Sequence, residues 1–238
     1  APHYTMGGLW VDYNLMTTIN GLFAAGEANF SEHGANRLGA SALMQGLADG
    51  YFIAPRTVAN YLAKNKLEPV DLNHPNVIQA IDDTKERINK LMNAPEPKYS
   101  PDYYHKKVGR ILWGACGMSR EREALKSAIE EIKALQIDFW QNVKVTGVEN
   151  DMNQTLERAG RVADFIELGH LMCRDALERE ESCGCHARLE YLASDGEAKR
   201  DDENFAYVAA WEYSQKGTIL NKEQLNFEFV KPSVRDYT

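Results

Sequence analysis

Residues Gly21–Leu43 read GLFAAGEANFSEHGANRLGASAL, and the rest of the chain is best understood by working outward from them. Asn20-Gly21 is a strong turn dipeptide. The apolar run Leu22 to Ala25 that follows is expected to form a short buried strand ending at Gly26. A strand running into a Gly-Glu turn places the Glu27 carboxylate where it can accept hydrogen bonds from ribose hydroxyls. From His33 a glycine-rich stretch leads toward a helix, whose first backbone N–H groups are available to an anionic or electron-rich ligand edge. Arg37, within that stretch, carries a planar fork suited to bidentate carboxylate binding. These residues alone support a small-anion or nucleotide site. The competing reading is a glycine-rich turn with a surface arginine, where His33 and Asn36 satisfy backbone groups of the turn.

Downstream, the pattern is helical from about Ala40 to Ala63, with Leu43, Leu47, Gly50 and Ala54 on one side. Gly46, Gly50 and Ala54 lie four apart, a spacing that suits close backbone packing, and Pro55 is expected to kink or break the helix. The linker Glu68 to Pro75 separates this first zone from a helical second one. There Val77, Ile81, Thr84, Ile88 and Leu91 mark one helical face, ended by Ala94-Pro95-Glu96-Pro97. Ser100-Pro101 is an N-cap followed by a first-turn proline, opening a helix through Tyr104, Val108, Ile111 and Ala115. A further helix is expected from Ser119 with Leu125, Ile129, Ile132, Leu135 and Phe139 inside. A last one runs from about Met152 to Glu180 with Leu156, Ala159, Ala163, Ile166, Cys173 and Leu177 inside. Amphipathic helices at such short spacing predict an antiparallel bundle. Beyond Cys183 the chain is irregular, and Tyr207–Tyr213 and Leu225–Val230 alternate as strands do.

The 238 residues, 44% hydrophobic and 26% charged, have the balance of an ordinary globular chain. No apolar run approaches the roughly 20 residues that span a bilayer, and no signal peptide is visible at the start. The first residue is Ala1 rather than an initiator Met, as expected of a truncated or processed product. A net charge of −8 argues against a nucleic-acid partner, because phosphate binding needs clustered cations. The cysteines Cys116, Cys173, Cys183 and Cys185 do not form a disulfide framework and are read as reduced thiols in a cytoplasmic setting. His170 and Cys173 three apart, with Cys183, Cys185 and His186 nearby, lack the paired CxxC knuckles of a zinc site, so no metal is expected. The charged runs Glu121–Glu123 and Glu178–Glu181 read as solvated faces, and Trp113, Trp140 and Trp211 as core or interface anchors.

HYTMGG (His3–Gly8), GLFAAGE (Gly21–Glu27) and HGANRLG (His33–Gly39), in this order and spacing, closely resemble the C-terminal FAD-domain signature of the succinate dehydrogenase/fumarate reductase flavoprotein family. That family also includes L-aspartate oxidase. ALEREESCGCHAR (Ala176–Arg188) resembles the family's ALxRxESRGAHxR segment, and RDDEN (Arg200–Asn204) its RDDxxW position. The resemblance implies a mainly α chain in three parts. Residues 1–66 would be a remnant of the FAD-binding α/β domain, 67–182 an antiparallel helical bundle, and 183–238 a C-terminal loop with strands.

By the same resemblance, FAD exchanges a hydride with succinate or fumarate, and His3 and Arg37 bind the dicarboxylate substrate. Glu27 contacts the FAD ribose, and the backbone at Ala42 and Leu43 approaches the flavin. The implied partners are an iron–sulfur subunit and a membrane cytochrome b subunit, which would hold the protein peripherally on the cytoplasmic face of the cell membrane. Two departures stand out: RLGASAL replaces RLGSNSL, and Cys183 replaces an arginine. The Gly-x-Gly-x-x-Gly element, the histidine that can carry FAD covalently and the capping domain with its proton-delivering arginine are not among these residues. The chain alone is therefore expected to hold no catalytic residue, to bind FAD weakly or not at all, and to be inactive. Two alternatives stay open: a fragment of an L-aspartate oxidase, and a non-catalytic helical interaction module.

Overall fold

The computed structural model describes residues 7–30, 40–148, 152–229 and 231–233. It is mainly helical with one small antiparallel sheet near the C-terminus, as the sequence predicts. Three helices form the core: α4 (Pro101–Ala115), α5 (Arg122–Asn142) and α6 (Gln154–Glu178), preceded by α1 (Ser41–Ala48), α2 (Ala54–Lys64) and α3 (Pro75–Met92). A short helix α7 (Asp202–Phe205) and the hairpin β1 (Tyr207–Ser214) and β2 (Gly217–Gln224) follow. Among the described residues no helix is long and apolar enough to cross a membrane.

The core follows from the apolar stripes. Tyr104, Leu125, Phe139, Ala159, Ile166 and Cys173 are fully buried where α4, α5 and α6 meet. Burying a large apolar side chain stabilises by roughly 1.5–3 kcal/mol each, so these stripes hold the bundle together. The Ser100 hydroxyl accepts from the Tyr103 N–H at 3.4 Å and Pro101 sits in the first turn, as the cap signal predicts. Asn153 caps α6 by accepting from the Leu156 N–H at 3.0 Å. At the far end of α5, Tyr104 packs edge-on against Phe139 with centroids 5.1 Å apart, and Tyr99 pairs with Val143. α3 is buried only near its C-terminal end, at Leu91, with Arg87 donating to Asp164 of α6; Ile78 and Ile81 stay exposed.

Several expectations are corrected. α5 begins at Arg122 rather than Ser119, because Arg120 is held extended: its N–H donates to Ala187 O and its carbonyl accepts from the Leu189 N–H. The second strand is Gly217–Gln224, not Leu225–Val230. A two-residue turn at 215–216 returns the chain at once, pairing Tyr207 with Gln224 and Ser214 with Gly217. Leu22–Ala25 is no strand; it makes only an isolated bridge, Met16 with Phe23, and Leu22 is exposed. On the first helix the side carrying Leu43 and Leu47 points outward, at 74% and 56% exposed, while Ala42, Gln45 and Asp49 are buried.

The break at Pro55 is as predicted. This residue has no N–H to give the carbonyl of Tyr51, and the helix widens into a π-helical turn, Asp49–Ile53, just before it. A Cβ at Gly46 or Gly50 would meet nothing within 4 Å, although the Gly46 Cα itself lies 3.6 Å from where a Cβ on Gly26 would sit, so of the two glycines only Gly46 brings its backbone close to a neighbouring element. Trp113 is 70% exposed and anchors no core, whereas Trp211 donates to Asp175 Oδ1 at 2.7 Å and fastens the hairpin to α6.

Candidate functional site

Two polar clusters organise the residues that the sequence singles out. The first lies under the turn carrying Glu27. Gly26–Ala28 is a single 3₁₀ turn, with Gly26 at φ +64, a conformation that costs a residue with a Cβ. The turn is fixed from below by three buried side chains: Asn29, Gln45 and Asp49. Asp49 Oδ2 accepts from the Gly26 N–H at 2.8 Å and from Asn29 Nδ2 at 3.2 Å. Gln45 Nε2 donates to Gly26 O at 3.0 Å and to Asn29 Oδ1 at 2.7 Å, and Asn29 Nδ2 reaches Ala24 O at 3.1 Å. Most of the buried polar atoms of the cluster are partnered in this way, Gln45 Oε1 being the exception. The result is a rigid base presenting Glu27 at the surface.

A second contact sets the approach of the two glycine-rich motifs. Leu9 N–H donates to Ala28 O at 2.9 Å and Phe30 N–H to Leu9 O at 3.0 Å, laying the end of HYTMGG beside the start of the stretch leading to HGANRLG. A Cβ on Gly8 would lie 2.6 Å from backbone atoms of Ala28 and Asn29, so glycine is required there. His3 and Arg37, the expected substrate-binding residues, and His33 and Asn36 lie outside the described residues.

Helix α1 starts at Ser41 after Ala40, which adopts the left-handed conformation (φ 62) and supplies no side-chain cap. Its first-turn N–H groups, including those of Ala42 and Leu43, have no acceptor inside the helix. Ala42 is buried, whereas Leu43, Met44 and Leu47 present an exposed apolar face. A backbone donor edge, an exposed carboxylate on a fixed turn and an apolar wall fit one side of a bound FAD.

The second cluster joins the end of α6 to the segment that follows. Arg188, fully buried, sends Nη1 to the carbonyls of Ala176 (3.0 Å) and Leu177 (3.3 Å), capping the negative end of α6, and Nε to Glu190 at 3.0 Å. Arg179 pairs with Glu181 at 2.7 Å and donates to Phe205 O and Tyr207 O, tying α7 and β1 to the bundle. The run 178–181 is therefore only partly a solvated face: Glu178 is exposed, but Glu181 is 3% exposed and also accepts from the Asp201 N–H.

His186 Nδ1 lies 2.7 Å from Arg120 Nη1, and Nε2 lies 2.9 Å from Arg179 O. A guanidinium only donates and a carbonyl only accepts, so the proton sits on Nε2 and the ring is neutral. Burial lowers the His186 pKa to about 4; the bond to Arg179 O opposes this, and Arg120, Arg179 and Arg188 reinforce it. Among the described residues no group of three or more His, Cys, Asp or Glu is arranged to hold a metal.

Sequence reasoning missed Asn29, Gln45, Asp49 and the buried arginine cluster. The available signal was Gln45 and Asp49, four apart on a helix whose other face is apolar.

Comparison with known proteins agrees with this layout. A family model described as fumarate reductase flavoprotein C-term matches residues 105–237, and an FAD binding domain model matches residues 1–43. The fumarate reductase flavoprotein subunit of Haemophilus influenzae is 29% identical over 216 residues, 90% of this chain and 34% of that protein. The succinate dehydrogenase flavoprotein subunit of Bacillus subtilis is 27% identical over 241 residues, covering 100% of this chain and 39% of that protein. A solved structure, quinol-fumarate reductase with menaquinol molecules, superposes with a TM-score of 0.80 at 26% identity over 97% of this chain and 38% of that one. The chain thus spans well under half the length of the relatives it matches. With more than half of its residues inside the first family model and the rest arranged as that family's structures are, the chain belongs to the fumarate reductase flavoprotein C-terminal family.

Proposed function

We propose that the chain is the C-terminal part of an FAD-dependent flavoprotein subunit that interconverts succinate and fumarate. The observation that carries this reading is the rigid Glu27 turn beside the start of α1, with the two glycine-rich motifs laid against each other at Leu9 and Ala28–Phe30. Glu27 would hold the ribose of FAD, and the N–H groups of Ala42 and Leu43 the flavin edge. Arg37 clamps a carboxylate of the substrate through parallel N–H donors, and His3 binds a carboxylate of the same dicarboxylate. Together they orient the reacting carbons and polarise the double bond, which is positioning and electrostatics rather than covalent chemistry. FAD, when bound, supplies the hydride acceptor or donor.

On this reading residues 1–66 complete an FAD domain, 67–182 form the helical domain and 183–238 close over it. Electrons pass to an iron–sulfur subunit and a membrane cytochrome b subunit, with the flavoprotein peripheral on the inner face of the membrane. The 238 residues alone are inactive.

The test uses the full-length flavoprotein. Arg37→Ala lowers succinate oxidation by about a hundredfold or more, with flavin content unchanged; near-normal turnover with succinate would refute the assignment. Turnover with aspartate in place of succinate would point to an L-aspartate oxidase. A flavin absorbance band that stays with the purified 238-residue chain after gel filtration with FAD would contradict the proposed inactivity of the fragment.

A further inference from the structure

Outside the proposed flavin face, a cleft of about 400 Å³ opens to solvent between α5, α6 and β1. Residues four apart share a helix face, so Ile129 and Lys133 reach it from α5, and His170, Arg174 and Glu178 from α6. Leu177 and Trp211 complete its lining. Ligand clefts share this make-up, with apolar walls, a few polar groups and volumes of roughly 300–1,000 Å³.

The cationic part of the cleft is held in place before any ligand arrives. The Arg174 guanidinium lies 4.8 Å from the centroid of the Trp211 ring, and its Nη1 donates to Thr218 Oγ1. Trp211 is fixed in turn, because its Nε1 donates to Asp175 Oδ1 at 2.7 Å. Arg174 makes no ion pair among the described residues, which leaves the rest of its fork for another acceptor. Lys133 pairs with Glu130 at 2.8 Å, but across an exposed surface where such a pair is worth little and is readily exchanged. Glu178, the acidic residue of the lining, is met by Lys222 at 3.6 Å.

His170 marks what is missing. Its Nε2 is buried and has no hydrogen-bond partner among the described residues, a costly state for a ring nitrogen. Burial lowers the His170 pKa; Arg174 and Lys133 reinforce this, and Glu130 and Glu167 oppose it. The ring is therefore neutral at pH 7, with its single proton free to sit on Nε2. Lysine and arginine only donate, so the group this corner lacks is an acceptor.

We infer that the cleft is a binding site for a small organic anion, a carboxylate carried on an apolar body. The carboxylate accepts from Lys133 Nζ, from the Arg174 fork and from His170 with its proton on Nε2. The apolar body rests against Ile129 and Leu177. Because Arg174 also grips the hairpin through Thr218 and Trp211, a ligand held there adds a link between the bundle and the C-terminal segment. Binding to the folded state alone then raises Tm.

The experiment titrates the isotope-labelled 238-residue chain with sodium benzoate at constant ionic strength, with sodium chloride and inorganic phosphate as parallel arms. Nuclear magnetic resonance is expected to show saturable shifts of the His170 ring nitrogens, the Arg174 Nε–H and the Trp211 indole N–H at millimolar benzoate. Tm should rise with them. Chloride should move none of these signals, and phosphate, lacking an apolar body, should bind several times more weakly. Lys133→Gln, at an exposed position, should leave the Tm of the free chain unchanged and weaken benzoate binding by about tenfold. Lys133→Arg should restore most of it. His170→Phe, which fills the same space without a donor, should weaken binding similarly; should either variant fail to fold, the other decides. Absence of a saturable shift, equal shifts with chloride, or unchanged affinity in the folded variants would overturn the inference. Phosphate binding as tightly as benzoate would overturn the role given to the apolar body. No flavin takes part, so the result stands apart from the FAD reading.

Discussion

The bundle and the N-terminal segment are held together by opposite means. In α4, α5 and α6, large apolar side chains interlock with each other, and Tyr104, Leu125, Phe139 and Ile166 are each fully out of water. Between Gly7 and Lys64 the apolar cluster is small, centred on Val11, Leu15 and Ala24, and the order comes from the hydrogen bonds of Asn29, Gln45 and Asp49. There the large apolar side chains Leu43, Met44, Leu47, Tyr51 and Phe52 point outward. A bundle of the first kind is stable by itself, whereas a segment of the second kind gains much of its stability from whatever covers its face.

The comparison can be broken most severely in the bundle. Phe139→Ala removes the ring that meets Tyr104 and Trp140 and is expected to destabilise the chain by about 4 kcal/mol, read as a lower urea midpoint with unchanged slope. In the N-terminal segment, Asp49→Ala strands the Gly26 N–H and removes one of the two acceptors of Asn29 Nδ2, at a cost of about 3 kcal/mol. That cost should be local: amide exchange rises over residues 22–30 and 42–49 while the bundle's unfolding midpoint stays where it was.

The joint between bundle and C-terminal segment should respond to acid. His186 is neutral in the folded chain with its pKa lowered to about 4, against 6.5 when unfolded. The unfolded state therefore binds the extra proton between those values. The stabilisation is complete above 6.5 and is lost as pH falls toward 4, by about 2 kcal/mol after allowance for partial solvent access. His186→Asn, which keeps a donor and an acceptor but does not titrate, should flatten that slope in denaturation curves taken across this range. The smallest effect is expected at the surface. Lys126→Ala breaks only the exposed pair with Glu123 and should change stability by less than about 0.5 kcal/mol.

What could be read in advance follows the same division. The bundle was legible because its burial obeys helical periodicity, from Tyr104, Val108 and Ala115 on α4 to Leu125, Ile132 and Phe139 on α5. Caps at Ser100 and the break at Pro55 were legible because each rests on a local rule. Which side of the first helix is buried was not legible, since periodicity cannot tell an apolar face that meets a core from one that stays exposed. The start of α5 was misplaced because Arg120 is held by residues 187 and 189, almost seventy positions away. Glu181 looked solvated because charge runs usually are, and its burial, like that of Arg188, depends on pairing with groups that no local charge pattern identifies. For the candidate site, the motifs pointed to Glu27, Ala42 and Leu43, which the fold gathers about one turn and one helix start. The polar base beneath them left only a faint trace in the spacing of Gln45 and Asp49.

Hydrogen exchange of the 238-residue chain, followed by mass spectrometry with and without FAD, tests the contrast most directly. The account predicts strong protection over residues 104–115, 125–139 and 156–177, exchange many times faster over residues 7–30 and 40–64, and no change on adding FAD. Equal protection across both regions, or marked slowing of residues 7–30 and 40–64 by FAD alone, would contradict it.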